Sequence, residues 1–208
     1  MPDKKLILKA KHVMDTLEKM YPNAVCSLEY THDYELLIAT RLSAQCTDAR
    51  VNIVTRELFS KYPSLDALNS APLSEIEKIV HPCGLYKTKA NDIKLIAKSL
   101  IENYNYKVPN SIEELTKLSG VGRKTANLIM GDIYKQGAVV CDTHCIRITN
   151  RLGLINTTDP YKAELKLREI LDLSRSNDFC HRLVLFGREI CSARNPKCSE
   201  CPFDCKLT

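Results

Sequence analysis

Apolar residues recur at helical spacing along nearly the whole chain. Leu6, Ala10, Val13, Met14 and Leu17 follow an i, i+4, i+7, i+8 rhythm that puts one apolar stripe on an N-terminal helix. Leu36-Leu37-Ile38-Ala39 inside Asp33–Leu42 is apolar on every side, the mark of a helix buried all round. The pattern predicts further helices over 48–62, 74–80, 87–104, 123–134, 143–152, 160–171 and 178–190. Tyr62-Pro63, Ala71-Pro72 and Pro82-Cys83-Gly84 supply turn signals between them. Ser111 and Glu114 are spaced to form a capping box that opens one more short helix. Only Ala138-Val139-Val140 reads as extended, and it is too short and too isolated to build a sheet. The predicted class is all-α.

Composition narrows this picture less than the pattern does. A chain of 208 residues suffices for one well-buried domain or two small lobes. The N-terminal apolar run Leu6-Ile7-Leu8 is too short for a secretory signal, and nowhere do about 18 apolar residues run together. The expectation is a protein of the cytosol or nucleoid with no membrane partner. A net charge of +5 permits a polyanionic partner without requiring one. Without a secretory signal the ten cysteines are expected as reduced thiols. Six are scattered and read as small buried hydrophobes.

The other four make a compact set, Cys191-x6-Cys198-x2-Cys201-x3-Cys205, within reach of one small metal centre. A zinc ribbon normally carries two C-x2-C pairs on separate arms, and only one such pair is present. The spacing favours a [4Fe–4S] cluster and leaves zinc as the alternative.

The stretch Leu118-Ser119-Gly120-Val121-Gly122-Arg123-Lys124-Thr125-Ala126-Asn127 joins two predicted helices. Two glycines allow a tight turn with exposed N–H groups, and the first turn of the second helix adds unpaired donors and a positive dipole end. Together they suit a nucleic-acid phosphate. Gly120-Val121-Gly122 alone reads first as an ordinary helix–turn–helix joint with glycine as C-cap; Arg123, Lys124 and Thr125 tilt the reading towards anion binding. By itself Lys124 reads as a phosphate-contacting or solvated lysine, and Asp142, in Asp142-Thr143-His144, as a helix cap.

Five segments, in order, resemble the endonuclease III family. Residues 118–127 resemble its helix-hairpin-helix LPGVGRKTAN, and Leu42-Ser43-Ala44-Gln45 with Thr47-Asp48 resembles LSAQ-x-TD. Gly84-Leu85-Tyr86 with Lys89-Ala90 resembles GLY-x-x-KA, and Asp142-Thr143-His144 resembles DTH. The terminal cysteines resemble the family's iron–sulfur loop, C-x6-C-x2-C-x5-C, with two residues fewer before Cys205.

The resemblance implies a two-lobed helix-hairpin-helix DNA glycosylase fold. Residues 25–136 would form a helical barrel lobe, and 1–24 with 137–208 a discontinuous iron–sulfur cluster lobe. It implies base-excision repair of double-stranded DNA carrying damaged pyrimidines or abasic sites, by a monomer. Lys124 would attack the sugar C1′, and AP-lyase β-elimination would follow 3′ to the lesion. Attack needs an uncharged amine, and a helix N-terminus beside Arg123 is an unfavourable place for an ammonium. Asp142 would stabilise the developing sugar cation and assist proton transfers. Gln45 and Leu85 would enter the duplex as the damaged nucleotide is flipped out. Gly120, Val121, Gly122, Arg123, Thr125 and His144 would contact DNA, as would Arg194 and Lys197 on the cluster loop. Cys191, Cys198, Cys201 and Cys205 would ligate the [4Fe–4S] cluster. A sister family of adenine-mismatch glycosylases generally lacks the lysine and carries a further recognition domain; Lys124 and an end at Thr208 speak for the lyase. A DNA-binding protein without catalysis would not need Lys124 and Asp142 together.

Overall fold

A computed structural model describes residues 3–205. In chain order the helices are α1 (Lys4–Met20), α2 (Asp33–Leu42), α3 (Asp48–Lys61), α4 (Leu65–Ser70) and α5 (Leu73–Val80). They continue with α6 (Tyr86–Tyr104), α7 (Ile112–Leu115), α8 (Arg123–Asp132), α9 (Thr143–Arg151), α10 (Pro160–Ile170) and α11 (Ser176–Glu189). Single 3-10 turns cover His81–Cys83, Leu173–Arg175 and Cys198–Glu200, and no strand occurs among the described residues. None of the helices is long and apolar enough to cross a membrane. The chain divides into two compact units, Cys26–Ile133 and a discontinuous one made of Met1–Val25 with Tyr134–Thr208.

In the continuous unit α2 is the central rod. Leu36, Leu37, Ile38, Ala39 and Leu42 are all fully buried, and α3, α6 and α8 pack around them. At the exposed start of α2 the buried Glu35 turns back and accepts from the backbone N–H groups of Thr31 and His32, which fixes the chain's entry into the helix. Helices α4 and α5 lie against α6, whose inner face is Ala90, Ile93, Ile96, Ala97 and Leu100. Helix α4, which the apolar pattern alone does not predict, is opened by Ser64, whose hydroxyl accepts from the Ala67 N–H. The expected capping box at α7 is only half made. Ser111 accepts from the Glu114 N–H, but the Glu114 carboxylate goes to Tyr104 and Lys117 instead of back to Ser111.

In the discontinuous unit α1 packs on α10 and α11, and α11 on α9. The predicted stripe supplies Ala10, Val13, Met14 and Leu17 to the core, opposite Leu167, Phe179, Leu183 and Phe186. Leu6 stays partly exposed at the end of the stripe. Arg175 and Arg182 pair with Glu18, and Arg175 also with Asp15 at 2.8 Å, which fixes the sequence-distant α1 onto α11. The segment Ala138–Val140 is buried without strand pairing. Side chains take two of its backbone groups: Ser176 donates to the Ala138 carbonyl at 2.7 Å, and the Val140 N–H reaches Cys180 Sγ at 3.3 Å, while the Val140 carbonyl accepts from the Asp142 N–H.

Candidate functional site

The turn before α8 is held by a buried ion pair. Arg41 from α2 and Asp92 from α6 meet at 2.6 Å, both largely shielded from water. Ser119 donates to the other Asp92 oxygen at 2.6 Å. Gly120 lies directly over this pair with φ +70°; a Cβ there would collide with Arg41 and come within 2.8 Å of Asp92. Glycine is therefore required twice, for a left-handed backbone and for close approach. Val121 is buried and pins the turn, while Gly122, Arg123 and Lys124 are exposed and Thr125 is half-buried. Gly122 caps α8 without any side chain, so the first-turn N–H groups face outward with no side-chain acceptor. No hydrogen bond or ion pair engages the Lys124 amine among the described residues.

Gln45 and Leu85 share an unusual backbone. Both are exposed and both sit in the left-handed region, at φ 57° and 49°. Such strain in a residue with a Cβ costs about 1–3 kcal/mol and concentrates at functional positions. Between the two loops lies Lys89, fully buried, its amine donating to the carbonyls of Leu42, Ala44 and Cys83. Burial pushes the Lys89 ammonium below the usual lysine range. The Cys83 thiol, buried against Cys46, is pushed up to about 11.

Asp142 does cap α9, accepting from the Cys145 N–H at 2.7 Å through one oxygen. The second oxygen lies 3.5 Å from His144 Nδ1. The His144 ring is wedged against Gly187 of α11, where a Cβ would approach it to 2.5 Å. Behind the cap Cys141, Cys145 and Cys180 are all buried. Hydrogen bonds with Cys141 and Cys180, together with burial, hold the Cys145 thiol well above its ordinary range, which disfavours a thiolate there.

Cys191, Cys198, Cys201 and Cys205 line one small cavity with Ile190, Pro196 and Lys197. Cys205 reaches it despite the shortened spacing. Burial, then the neighbouring thiols, raise Cys201 and Cys205, while Arg151 draws Cys205 the other way. Four cysteines lining one cavity are the donor set that a [4Fe–4S] cubane takes. Arg151 donates to Cys191 Sγ at 3.2 Å and to the Ser192 and Ala193 carbonyls, and Arg147 to the Cys191 carbonyl. These guanidinium contacts fix the loop's entry. Phe203 closes it, set edge-on to Phe186 at 5.5 Å. Arg194 is exposed, and the exposed Lys197 lies 3.8 Å from Glu200.

The chain's similarity to known proteins agrees with this arrangement. Residues 38–172 match the HhH-GPD superfamily of base excision DNA repair proteins, and residues 191–203 the iron–sulfur binding domain of endonuclease III. The second match takes in Cys191, Cys198 and Cys201 and stops short of Cys205. The endonuclease III of Synechocystis sp. is 40% identical over 194 residues, 93% of this chain and 89% of its own length. That of Bacillus subtilis is 40% identical over 190 residues, 91% of this chain and 87% of its own. A solved trapped endonuclease III–DNA covalent intermediate superposes with TM-score 0.89 and 40% identity, covering 98% of this chain and 94% of that one. The helical fold, the hairpin and the iron–sulfur loop together place this chain in the endonuclease III family of base-excision DNA glycosylases and AP lyases, which carry a [4Fe–4S] cluster.

Proposed function

We propose that Lys124 is the nucleophile of this enzyme and Asp142 its assisting carboxylate. The observation that carries the reading is the state of Lys124: an exposed, unpartnered amine in the first turn of α8, directly after the hairpin. The Lys124 amine adds its lone pair to C1′, and the N-glycosidic bond breaks with its electron pair leaving on the base, which takes up a proton. The sugar ring then opens at C1′–O4′, O4′ taking up the proton lost from the lysine nitrogen, and the resulting protonated Schiff base acidifies the C2′ proton; its removal expels the 3′ phosphate and cuts the strand. Asp142 offers the negative charge that an oxocarbenium-like sugar demands, and the oxygen that the α9 cap leaves over lies 3.5 Å from His144 Nδ1.

The uncapped N–H groups of α8, with Arg123 and Thr125, receive a DNA phosphate, and Gly120, Val121 and Gly122 keep them in place. Gln45 and Leu85 fill the gap left by the flipped nucleotide. The substrates are oxidised or otherwise damaged pyrimidines and abasic sites in duplex DNA, handled by a monomer at the nucleoid. The Cys26–Ile133 unit is the barrel lobe and the discontinuous unit the cluster lobe. Cys191, Cys198, Cys201 and Cys205 hold the cluster, which supplies a structural anchor for the loop; Arg194 and Lys197 present positive charge to phosphates.

Borohydride trapping on a duplex with one thymine glycol tests the assignment. Wild type gives a covalent protein–DNA band, and Lys124→Ala binds the duplex without giving one. A band of undiminished yield from Lys124→Ala removes Lys124 from the role. If Asp142→Asn traps and excises as fast as wild type, Asp142 is only the α9 cap.

A further inference from the structure

We propose that Lys89 is a positioning residue that ties the Gln45 loop and the Leu85 loop into one rigid wedge, so that both side chains enter the duplex together. The proposal rests on the reading of Gln45 and Leu85 as gap-filling residues.

Lys89 is among the largest fully buried side chains of the protein. Its amine donates to the Leu42 carbonyl at 2.9 Å, the Ala44 carbonyl at 2.7 Å and the Cys83 carbonyl at 2.8 Å. Three donors meet three acceptors, and no carboxylate is among the partners or among the charges that act on the group. Leu42 and Ala44 lead into Gln45; Cys83 leads into Gly84 and Leu85. Each loop carries one exposed residue in the left-handed region, a conformation that persists only where the surroundings over-determine it. Lys89 is the group that reaches both loops, and the thiols of Cys46 and Cys83 touch across the same seam.

A space-filling role does not account for this lysine. A methionine of similar volume would fill the site without removing an ammonium from water. What a methionine lacks is the hold on three carbonyls. Removing that hold frees the two loops to move separately, and the cost falls on the step that needs both at once, which is opening a paired duplex.

The test compares two substrates in one variant. Lys89→Met slows single-turnover excision of thymine glycol from a fully paired duplex by about 10- to 100-fold, the scale of a small misplacement of positioned groups. Borohydride trapping of the same variant on a single-stranded abasic oligonucleotide is unchanged, because nothing has to be flipped. A 2-aminopurine opposite the lesion reports the lost unstacking directly. Equal losses on both substrates, or no loss on either, overturn the clamp. Gln45→Ala and Leu85→Ala are run beside it. If both leave paired-duplex excision intact, the gap-filling reading fails and this proposal with it, an outcome distinct from failure of Lys89→Met alone. Should Lys89→Met not fold, native-state hydrogen exchange on wild type decides: residues 43–47 and 82–86 open with one common free energy if clamped, and with two if not.

Discussion

Gly120, Arg41 and Asp92 show how few atoms set the shape of the hairpin. The ion pair lies beneath a glycine that cannot accept a side chain, so helix α2, helix α6 and the turn share one contact. Gly120→Ala places a Cβ onto Arg41 and adds the left-handed penalty; destabilisation of about 2–4 kcal/mol follows, together with weaker duplex binding. Denaturant midpoints and salt-titrated binding measure the two effects separately. Asp92→Asn keeps the shape, removes the charge opposite Arg41 and leaves one acceptor oxygen where Arg41 and Ser119 used two; it is expected to cost about 3 kcal/mol, the scale of a broken buried pair. An Asp92→Asn protein as stable as wild type would show that the pair carries no such energy. The ion pair was not legible in the sequence, because Arg41 and Asp92 lie 51 residues apart and belong to no common pattern. Lys89 was visible as part of the Gly84-Leu85-Tyr86 with Lys89-Ala90 resemblance, but its burial was not, since a lysine held by carbonyls leaves no mark in the apolar pattern. The motif spacing, by contrast, did point to Gly120 and to the α8 start, because a tight turn into a helix needs its glycines at fixed offsets.

At the scale of elements, helices with a strong stripe or an apolar run were legible to within one or two residues, α2 to the residue. Helix α4 escaped because six residues are too few for a periodic signal; its start was readable only from Ser64 as a cap. Glu114 misled for the opposite reason: the capping-box spacing is present, but the Tyr104 hydroxyl and Lys117 amine compete for the carboxylate and win. Helix α9 is the element whose two ends matter most. Asp142 caps one end, while Arg147 and Arg151 on its flank and last turn grip the opening of the cysteine loop. Arg151→Met keeps the apolar stem and loses three donor contacts, including the one to Cys191 Sγ. The expected result is a cluster that assembles but is lost sooner in air, read as a faster decay of its visible absorbance. A decay rate equal to wild type would leave Arg151 a loop tether only.

At the scale of the whole molecule, the discontinuous unit joins the two ends of the sequence through one core. The cysteine loop is short, poor in secondary structure and only partly buried, so its own contacts cannot hold it. Phe203 is its one apolar anchor, set edge-on to Phe186 of α11 and to His12 of α1 at 6.5 Å. Four cysteine ligands would supply the rest, and the metal's binding energy then becomes folding energy for the segment around it. Two perturbations should therefore be felt at a distance. Cys205→Ser removes the ligand that the shortened spacing places at the end of the set. It should lower the iron content and cluster absorbance of the purified protein. Hydrogen exchange should then rise through residues 190–205 and at the C-terminal turn of α11, because Phe203 is no longer tethered on both sides. Phe203→Ala keeps all four cysteines and should cost about 3 kcal/mol or less, the lower end of the range for a buried aromatic, given its place at the rim. Its exchange should rise in the same loop and at the His12 face of α1, at the opposite end of the sequence. If Cys205→Ser retains full iron and wild-type exchange, three cysteines and another ligand hold the cluster. In that case the two missing residues before Cys205 mark a real change in how this chain closes its iron–sulfur loop.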